Sequence, residues 1–229
     1  MTLATVGFEL IAVFEEAHGK GSFGFLAADQ QCAVLAFRGT EPSDRTNIID
    51  DARFLPRTWS VNGRAMGRVH SGFADALQRI WSFVGVALQD LTTPVWCTGH
   101  SLGGALATLA ASRAEVEKLI TFGSPRVGDA AFRDMLATHV PAAKRYVNCS
   151  DAVPQVPPAP YRHYGVLHYI DRHGDIHVQP KKRWMIADQA AAHTEYLRDY
   201  AWRSDNLVSR ALADHALVNY VTAVAVIDG

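Results

Sequence analysis

The residue best placed for covalent chemistry is Ser101, which lies at the centre of the segment GHSLG over residues 99–103. This segment has the form G-x-S-x-G, with an apolar stretch before it and the alanine-rich run ALATLAA after it. A serine on a sharp strand-to-helix turn leaves no room for side chains two residues away on either side. The amides that begin the following helix favour negative charge beside the serine. The pattern therefore predicts a nucleophile that attacks an acyl carbon.

A serine hydroxyl is a weak nucleophile until a base removes its proton, and the base needs an anion to orient it. Where the nucleophile lies on such a turn, the acid and then the histidine follow it along the chain. Asp151 comes directly after a predicted strand, at the carboxyl edge of the sheet where such sites gather. Asp151 is our candidate acid, and the alternative is that this residue only stabilises a turn or caps a helix. His193 and His215 are the candidate bases.

The elements around these residues alternate between helices and short apolar strands. This alternation predicts an α/β fold with a mostly parallel, open central sheet and helices on both faces. The predicted helices cover residues 72–89, 102–115, 129–138, 182–200 and 205–221, and the predicted strands cover 94–98, 118–122, 143–148, 162–170 and 175–178.

The N-terminal part is predicted to contain one helix and a strand pair instead of alternating strands and helices. Apolar residues at helical spacing predict an amphipathic helix over Leu3–Glu16. Two strands are predicted after it, Ser22–Ala28 and Gln31–Phe37, with Asp29 and Gln30 in the turn between them. The apolar face of the predicted helix consists of Leu3, Val6, Leu10, Val13 and Phe14.

Several segments, in the same order, resemble the class 3 lipases, a family that includes fungal triacylglycerol lipases and feruloyl esterases. They are FRGT at 37–40, HSGF at 70–73, GHSLGGALATLAA at 99–111 and TFGSPRVG at 121–128. The likeness spans about residues 34 to 220. It implies an α/β-hydrolase fold, a Ser-Asp-His triad and an acyl-enzyme intermediate.

The resemblance also implies which residues complete the triad with Ser101. Asp151 matches the family's N-x-x-D-x-V-P in the segment NCSDAVP. His215 resembles the histidine of the family's C-terminal D-H-x-x-Y, although the aromatic residue stands later here, at Tyr220. His193 matches no motif of the family. We therefore predict Asp151 as the acid and His215 as the base.

The oxyanion of the tetrahedral intermediate requires preorganised amide donors. The resemblance implies the backbone amides of Leu102 and Thr40, with the Thr40 hydroxyl oriented by Asp50 or Asp51. Residues 41–55 occupy the position of the family's lid. Because this segment begins with the polar run EPSDR, its apolar face is narrow, and we predict weak interfacial activation. The apolar lid residues are Ile48, Ile49, Phe54 and Leu55.

Composition sets further limits. The 229 residues carry a formal net charge of −1, which gives no electrostatic basis for binding nucleic acid. We predict a single domain over residues 1–229 without a transmembrane segment. No signal peptide is recognisable, so the sequence is compatible with a cytoplasmic protein or with a secreted one whose signal has been removed. The cysteines Cys32, Cys97 and Cys149 suit reduced core residues rather than a disulfide framework.

The sequence thus predicts a serine carboxylic-ester hydrolase, a triacylglycerol lipase or esterase acting on dissolved esters and on glycerides at a lipid–water interface. A feruloyl-type esterase or phospholipase A1 with the same triad is the first alternative, followed by a non-catalytic lipase-like binding protein and by an acyltransferase. No cofactor is expected. The histidines His168, His173 and His177 lie on a predicted hairpin without a recognisable zinc spacing, so no metal site is predicted.

Overall fold

A computed structural model describes residues 3–15, 23–39, 55–200 and 210–225. Its strands, in chain order, are β1 (Glu9–Glu15), β2 (Phe23–Ala28), β3 (Ala33–Phe37), β4 (Pro56–Val61), β5 (Arg64–His70), β6 (Val95–His100), β7 (Lys118–Phe122), β8 (Ala142–Asn148), β9 (Val166–Ile170) and β10 (Ile176–Val178). Its α-helices are α1 (Ser71–Leu88), α2 (Leu102–Ala111), α3 (Ala130–His139), α4 (Lys182–Tyr200), α5 (Arg210–Asp214) and α6 (Leu217–Ala225). Within the described ranges, 3₁₀ turns cover Leu3–Val6 and Val153–Gln155.

Within these described residues, one large sheet has the strand order β1-β2-β3-β6-β7-β8-β9-β10, and β4 and β5 form a separate hairpin. The neighbours from β3 to β9 are parallel, whereas β1, β2 and β10 pair in antiparallel fashion. The predicted mostly parallel sheet is confirmed. Because the central strands are parallel, their carboxyl ends meet at one edge, where Phe37, His100, Phe122 and Asn148 end their strands.

Helices lie on both faces of this sheet. Leu119 belongs to the larger core cluster with α1 and α2, whereas the next residue, Ile120, packs against the cluster that contains Tyr220 of α6. Successive side chains of a strand point to opposite faces. It follows that α2 and α6 cover opposite faces, so they approach the carboxyl edge of the sheet from two sides.

The helix α2 is buried almost all round, from Gly103 to Ala111. A helix that is apolar on every side belongs in a core, and here it packs against the sheet on one side and α1 on the other. Its small side chains allow this close approach. The predicted helix over 102–115 was too long, because α2 ends at Ala111 and the Ser112 hydroxyl donates back to the Leu109 carbonyl.

The predicted N-terminal helix over Leu3–Glu16 is wrong. Only Leu3–Val6 forms a helical turn, Gly7 has a φ of +82°, and β1 follows. The apolar spacing fits a helix, but pairing with β2 along nearly the whole strand decides the local structure. The side chains of Leu10, Ile11 and Val13 are about half exposed on this edge strand.

The single helix predicted over 205–221 is also wrong where it can be compared, since α5 and α6 are separate (residues 205–209 lie outside the described part). The Asp214 carbonyl accepts a hydrogen bond from the Asn148 side-chain amide, and the His215 carbonyl is bound by the His100 ring. Both carbonyls are thereby withdrawn from helical hydrogen bonding. No helix among the described residues is long and apolar enough to cross a membrane.

Candidate active site

Ser101 lies on the turn between β6 and α2 in a strained backbone conformation. Its φ is 57° and its ψ is −127°, a region that costs a non-glycine residue on the order of 1–3 kcal/mol. The Ser101 amide donates to the Phe122 carbonyl at 3.0 Å, which ties the turn to the end of β7. The surrounding structure therefore holds the hydroxyl at the carboxyl edge of the sheet.

The glycines of GHSLG are required by close backbone approach. A Cβ on Gly99 would lie 2.3 Å from the backbone of Gly103, and a Cβ on Gly103 would lie 2.2 Å from the Phe37 carbonyl oxygen. Neither backbone group can move aside as a flexible side chain could. The G-x-S-x-G spacing is thus explained by the packing of β3, the turn and α2 against one another.

Ser101, His215 and Asp151 form a hydrogen-bonded relay. The His215 Nε2 lies 2.8 Å from the Ser101 Oγ, and its Nδ1 lies 2.8 Å from the Asp151 Oδ2. All three residues are about 1 % exposed. Because an ionised carboxylate only accepts, the Nδ1 carries the proton and leaves the Nε2 lone pair for the serine hydroxyl. This tautomer suits a general base.

The Asp151 carboxylate has two further donors. Its Oδ1 accepts from the Val153 amide at 2.9 Å, and its Oδ2 accepts from the Tyr220 hydroxyl at 2.5 Å. Burial, followed by the proximity of Asp151, raises the pKa of Tyr220 well above its usual value. The phenol therefore stays protonated and remains a donor. The Tyr220 oxygen in turn accepts from the Asn148 amide at 3.0 Å.

The segments that carry the acid and the base are joined by a second set of contacts. The Ser150 amide, next to Asp151, donates to the Asp214 Oδ2 at 2.9 Å. The Asn148 side chain donates to the Asp214 carbonyl at 2.9 Å. Arg210 pairs with Asp214 at 2.8 Å within the same short helix. These contacts fix the residue before His215 to the residue before Asp151.

Helix α4 supports the same loop from outside. Its buried Asp188 accepts hydrogen bonds from the Tyr169 hydroxyl, the Cys149 thiol and the Arg172 guanidinium. Gln189 of the same helix donates to the Cys149 carbonyl at 2.8 Å. Because Cys149 lies two residues before Asp151, α4 restrains the turn that presents the carboxylate.

His100 lies beneath the base rather than beside the nucleophile. Its Nε2 donates to the His215 carbonyl at 2.8 Å, and the two ring centroids are 4.6 Å apart. His100 therefore packs under the proposed base and holds its backbone carbonyl. His193, the alternative base, is exposed on α4 and lies outside the relay.

The predicted oxyanion donors and lid residues are only partly within the described residues. Leu102 is the first residue of α2, where a backbone amide has no partner within the helix. Thr40, Asp50, Asp51, Ile48, Ile49 and Phe54 lie outside the described residues. Leu55 is described, is 59 % exposed, and its carbonyl accepts from the Ser71 amide.

No sequence pattern indicates the contacts made by Asn148, Asp214 and Asp188, because each contact joins residues far apart in the chain. For Tyr220, the only indication in the sequence was its position five residues after His215. Of the histidines on the predicted hairpin, His177 hydrogen-bonds Asp171 at 2.8 Å. Within the described ranges, no three His, Cys, Asp or Glu residues are grouped to hold a metal ion.

The chain is similar to known lipases in sequence. The family model for lipase (class 3) matches residues 34–161. A lipase of Caenorhabditis elegans is 36 % identical over 139 residues, covering 56 % of this chain and 38 % of the relative. A lipase of Rhizomucor miehei is 37 % identical over 155 residues, covering 61 % of this chain and 40 % of the relative.

Solved structures are similar as well. One is a triacylglycerol lipase described as having a serine protease triad at its catalytic centre. It matches with a TM-score of 0.66 at 27 % identity, over 76 % of this chain and 71 % of that one. The chain spans about two fifths of the length of the two curated relatives above.

Proposed function

Because the chain belongs to the class 3 lipase family and has its α/β-hydrolase fold, we propose that it hydrolyses carboxylic esters through Ser101, His215 and Asp151. The observation that carries the proposal is the relay itself, with two contacts of 2.8 Å between buried side chains. The substrates are esters and glycerides, either dissolved or at a lipid–water interface. Domain boundaries 1–229, with a lid over 41–55, form part of the same proposal.

In the first half of the reaction, His215 Nε2 takes the hydroxyl proton as the Ser101 Oγ attacks the ester carbonyl carbon. Asp151 keeps the imidazole in the required tautomer and stabilises the imidazolium that forms. The intermediate collapses when His215 returns that proton to the leaving alkoxide, which departs as an alcohol. The carbon–oxygen bond to Ser101 is now that of an acyl-enzyme.

In the second half, His215 removes a proton from water, and the resulting hydroxide attacks the acyl carbon. Collapse of the second intermediate breaks the bond to Ser101, whose oxygen recovers a proton from His215. The carboxylic acid leaves and the enzyme is regenerated. Each proton thus passes through the same Nε2 atom.

The charge on each tetrahedral intermediate requires donors beside Ser101. We assign these to the backbone amides of Leu102 and Thr40. The place of Leu102 at the start of α2 supports the first assignment. For the second, a Cβ on Gly39 would lie only 3.2 Å from the Ser101 Cβ, which brings the end of the FRG segment against the nucleophile. Removing one such donor typically lowers kcat by about 10²–10³-fold.

An active-site-directed fluorophosphonate tests the nucleophile. We expect a covalent adduct on the peptide that contains Ser101, and no labelling of S101A. H215A should lose nearly all hydrolysis of p-nitrophenyl butyrate, whereas H193A, which removes the exposed alternative base, should keep it. Labelling at another residue, or equal losses in H215A and H193A, would refute the assignment.

The substrate class requires a separate comparison. Rates on p-nitrophenyl esters, triglycerides, phospholipids and feruloyl esters distinguish a lipase or esterase from a phospholipase A1 and from a feruloyl esterase. Because the predicted lid is polar at its start, we expect turnover of dissolved esters below their solubility limit. A sharp jump in rate on crossing that limit would contradict weak interfacial activation.

A further inference from the structure

A small cavity lies behind α2, away from the triad. Its volume is about 20 Å³, and Thr108 of α2 and Thr121 of β7 are among the residues that line it. A cavity of this size holds a particle about as large as one water molecule. It is too small for a phosphate group or an organic carboxylate.

The wall of this cavity is basic. Arg145 and Arg162 line it together with Arg133, and no described carboxylate is among the lining residues. Arg133 pairs with Asp134 at its exposed end. Arg126 lies close enough to affect the pKa values of its neighbours and donates to the backbone carbonyl of Pro157.

Arg145 is the least satisfied of these groups. Its Nε is buried and has no hydrogen-bond partner within the part of the chain that the structure describes. Burial, and then the charge of Arg126, lower the pKa of Arg145 to about 10. The guanidinium therefore keeps its charge at neutral pH. Because a buried polar group without a hydrogen-bond partner destabilises the folded state, an acceptor in the cavity beside the Arg145 Nε would compensate for that loss.

His163 does not supply that compensation and does not add to the positive charge. Burial and the nearby Arg145 lower the pKa of His163 to about 3, and its Nε2 donates to the Pro154 carbonyl. It is neutral at physiological pH. A water molecule could accept a hydrogen bond from the Arg145 Nε, but it would carry no charge to oppose the guanidinium.

We propose that this cavity binds one small inorganic anion of the size of chloride, held by the Arg145 guanidinium and flanked by Arg162. The site is distinct from the esterase centre and does not depend on the proposed function. Its occupant would accept a hydrogen bond from the buried Arg145 Nε and would oppose the charge of this partly buried guanidinium in the wall between β7, β8 and α2. The bound anion would therefore stabilise the fold behind the nucleophile turn.

Thermal unfolding tests the proposal at constant ionic strength, with sodium chloride replacing sodium gluconate, whose anion is too large for the cavity. We expect chloride to raise the Tm by about 3–5 °C for each tenfold increase above its Kd. R145Q should lose this dependence. K144Q removes one charge from the adjacent, exposed residue of the same strand and should keep it.

A crystal of the unaltered protein grown in sodium bromide gives a second readout that does not depend on the folding of R145Q. We expect an anomalous peak beside the Arg145 Nε. Identical Tm curves in chloride and gluconate would assign the cavity to water and overturn the proposal. A chloride effect that persists in R145Q, or the absence of bromide at this position, would overturn it equally.

Discussion

Replacing Gly123 by alanine would place a methyl group in the middle of the proposed catalytic relay. The added Cβ would lie 2.8 Å from the Asp151 Oδ2, 3.0 Å from the Tyr220 hydroxyl and 3.2 Å from the His215 Cε1. These distances are shorter than van der Waals contact, so the side chains must move apart. Unlike the backbone contacts of Gly99, these neighbours are side chains that can move.

Two costs can be separated. Gly123 has a φ of +55°, and an alanine in this region loses about 1–2 kcal/mol, or roughly 2–8 °C in Tm for a chain of this size. Displacing the relay by a few tenths of an ångström to one ångström lowers kcat/KM by about 10²-fold, equivalent to about 2.7 kcal/mol in the barrier. We therefore expect a folded variant that is nearly inactive.

Gly63 supplies the matched control, since its φ is +76° and a Cβ there would meet no atom within 4 Å. G63A should share the loss of Tm and keep the activity. The assay is kcat/KM for p-nitrophenyl butyrate, together with thermal unfolding of both variants. If G123A retains kcat/KM within about threefold of the parent protein, the hydrogen bonds around Gly123 do not position the reacting groups as argued.

Three further predictions follow from other contacts. Y220F removes one donor to Asp151 and leaves the Asn148 amide without its partner, so the free energy of unfolding measured in urea should fall by about 2–3 kcal/mol. The kcat/KM value should fall about tenfold with little change in KM, and an unchanged free energy of unfolding would contradict the role of the hydroxyl. D214N weakens the contact with the Ser150 amide and should lower the free energy of unfolding by about 1–2 kcal/mol. D134N, which breaks an exposed ion pair, should lower it by less than about 0.5 kcal/mol, and equal losses would refute the proposed link between the segments of Asp151 and His215. Because the pKa of His163 is lowered to about 3, only the unfolded state binds a proton at this residue between about pH 6.5 and 3, and the free energy of unfolding should decrease by at most about 1.4 kcal/mol for each unit by which the pH is lowered. H163Q should flatten that slope in urea titrations at pH 4 to 6, and an unchanged slope would exclude His163 as its source.

The central elements could be predicted from the sequence because local pattern and fold agree there. β7 was predicted with its bounds as observed, over Lys118–Phe122, and α4 over Lys182–Tyr200 likewise. The turn at Ser101 was also predictable, since only glycines fit the crowding on either side of it. In these segments the apolar run, the glycines and the final packing require the same structure.

The failures arise where partners distant in sequence decide the structure. The spacing of Leu10, Val13 and Phe14 suits a helix, yet β2 supplies a strand partner. The helix predicted over 205–221 breaks because Asn148 and His100 bind the carbonyls of Asp214 and His215. A helical pattern contains no information about such donors. The contacts of Asp188 with Cys149 and Tyr169 could not be predicted for the same reason, because their partners are distant in the sequence.

The attachment of His215 to the sheet edge through His100 and Asp214 has a consequence during synthesis. Ser101 and Asp151 leave the ribosome before the segment that carries the proposed base. Until residues 210–225 dock, the nascent chain holds a serine and a carboxylate without an imidazole between them, and it cannot turn over an ester. The first appearance of hydrolysis would therefore report that α5 and α6 have joined the sheet, which makes enzyme activity a direct signal of their docking.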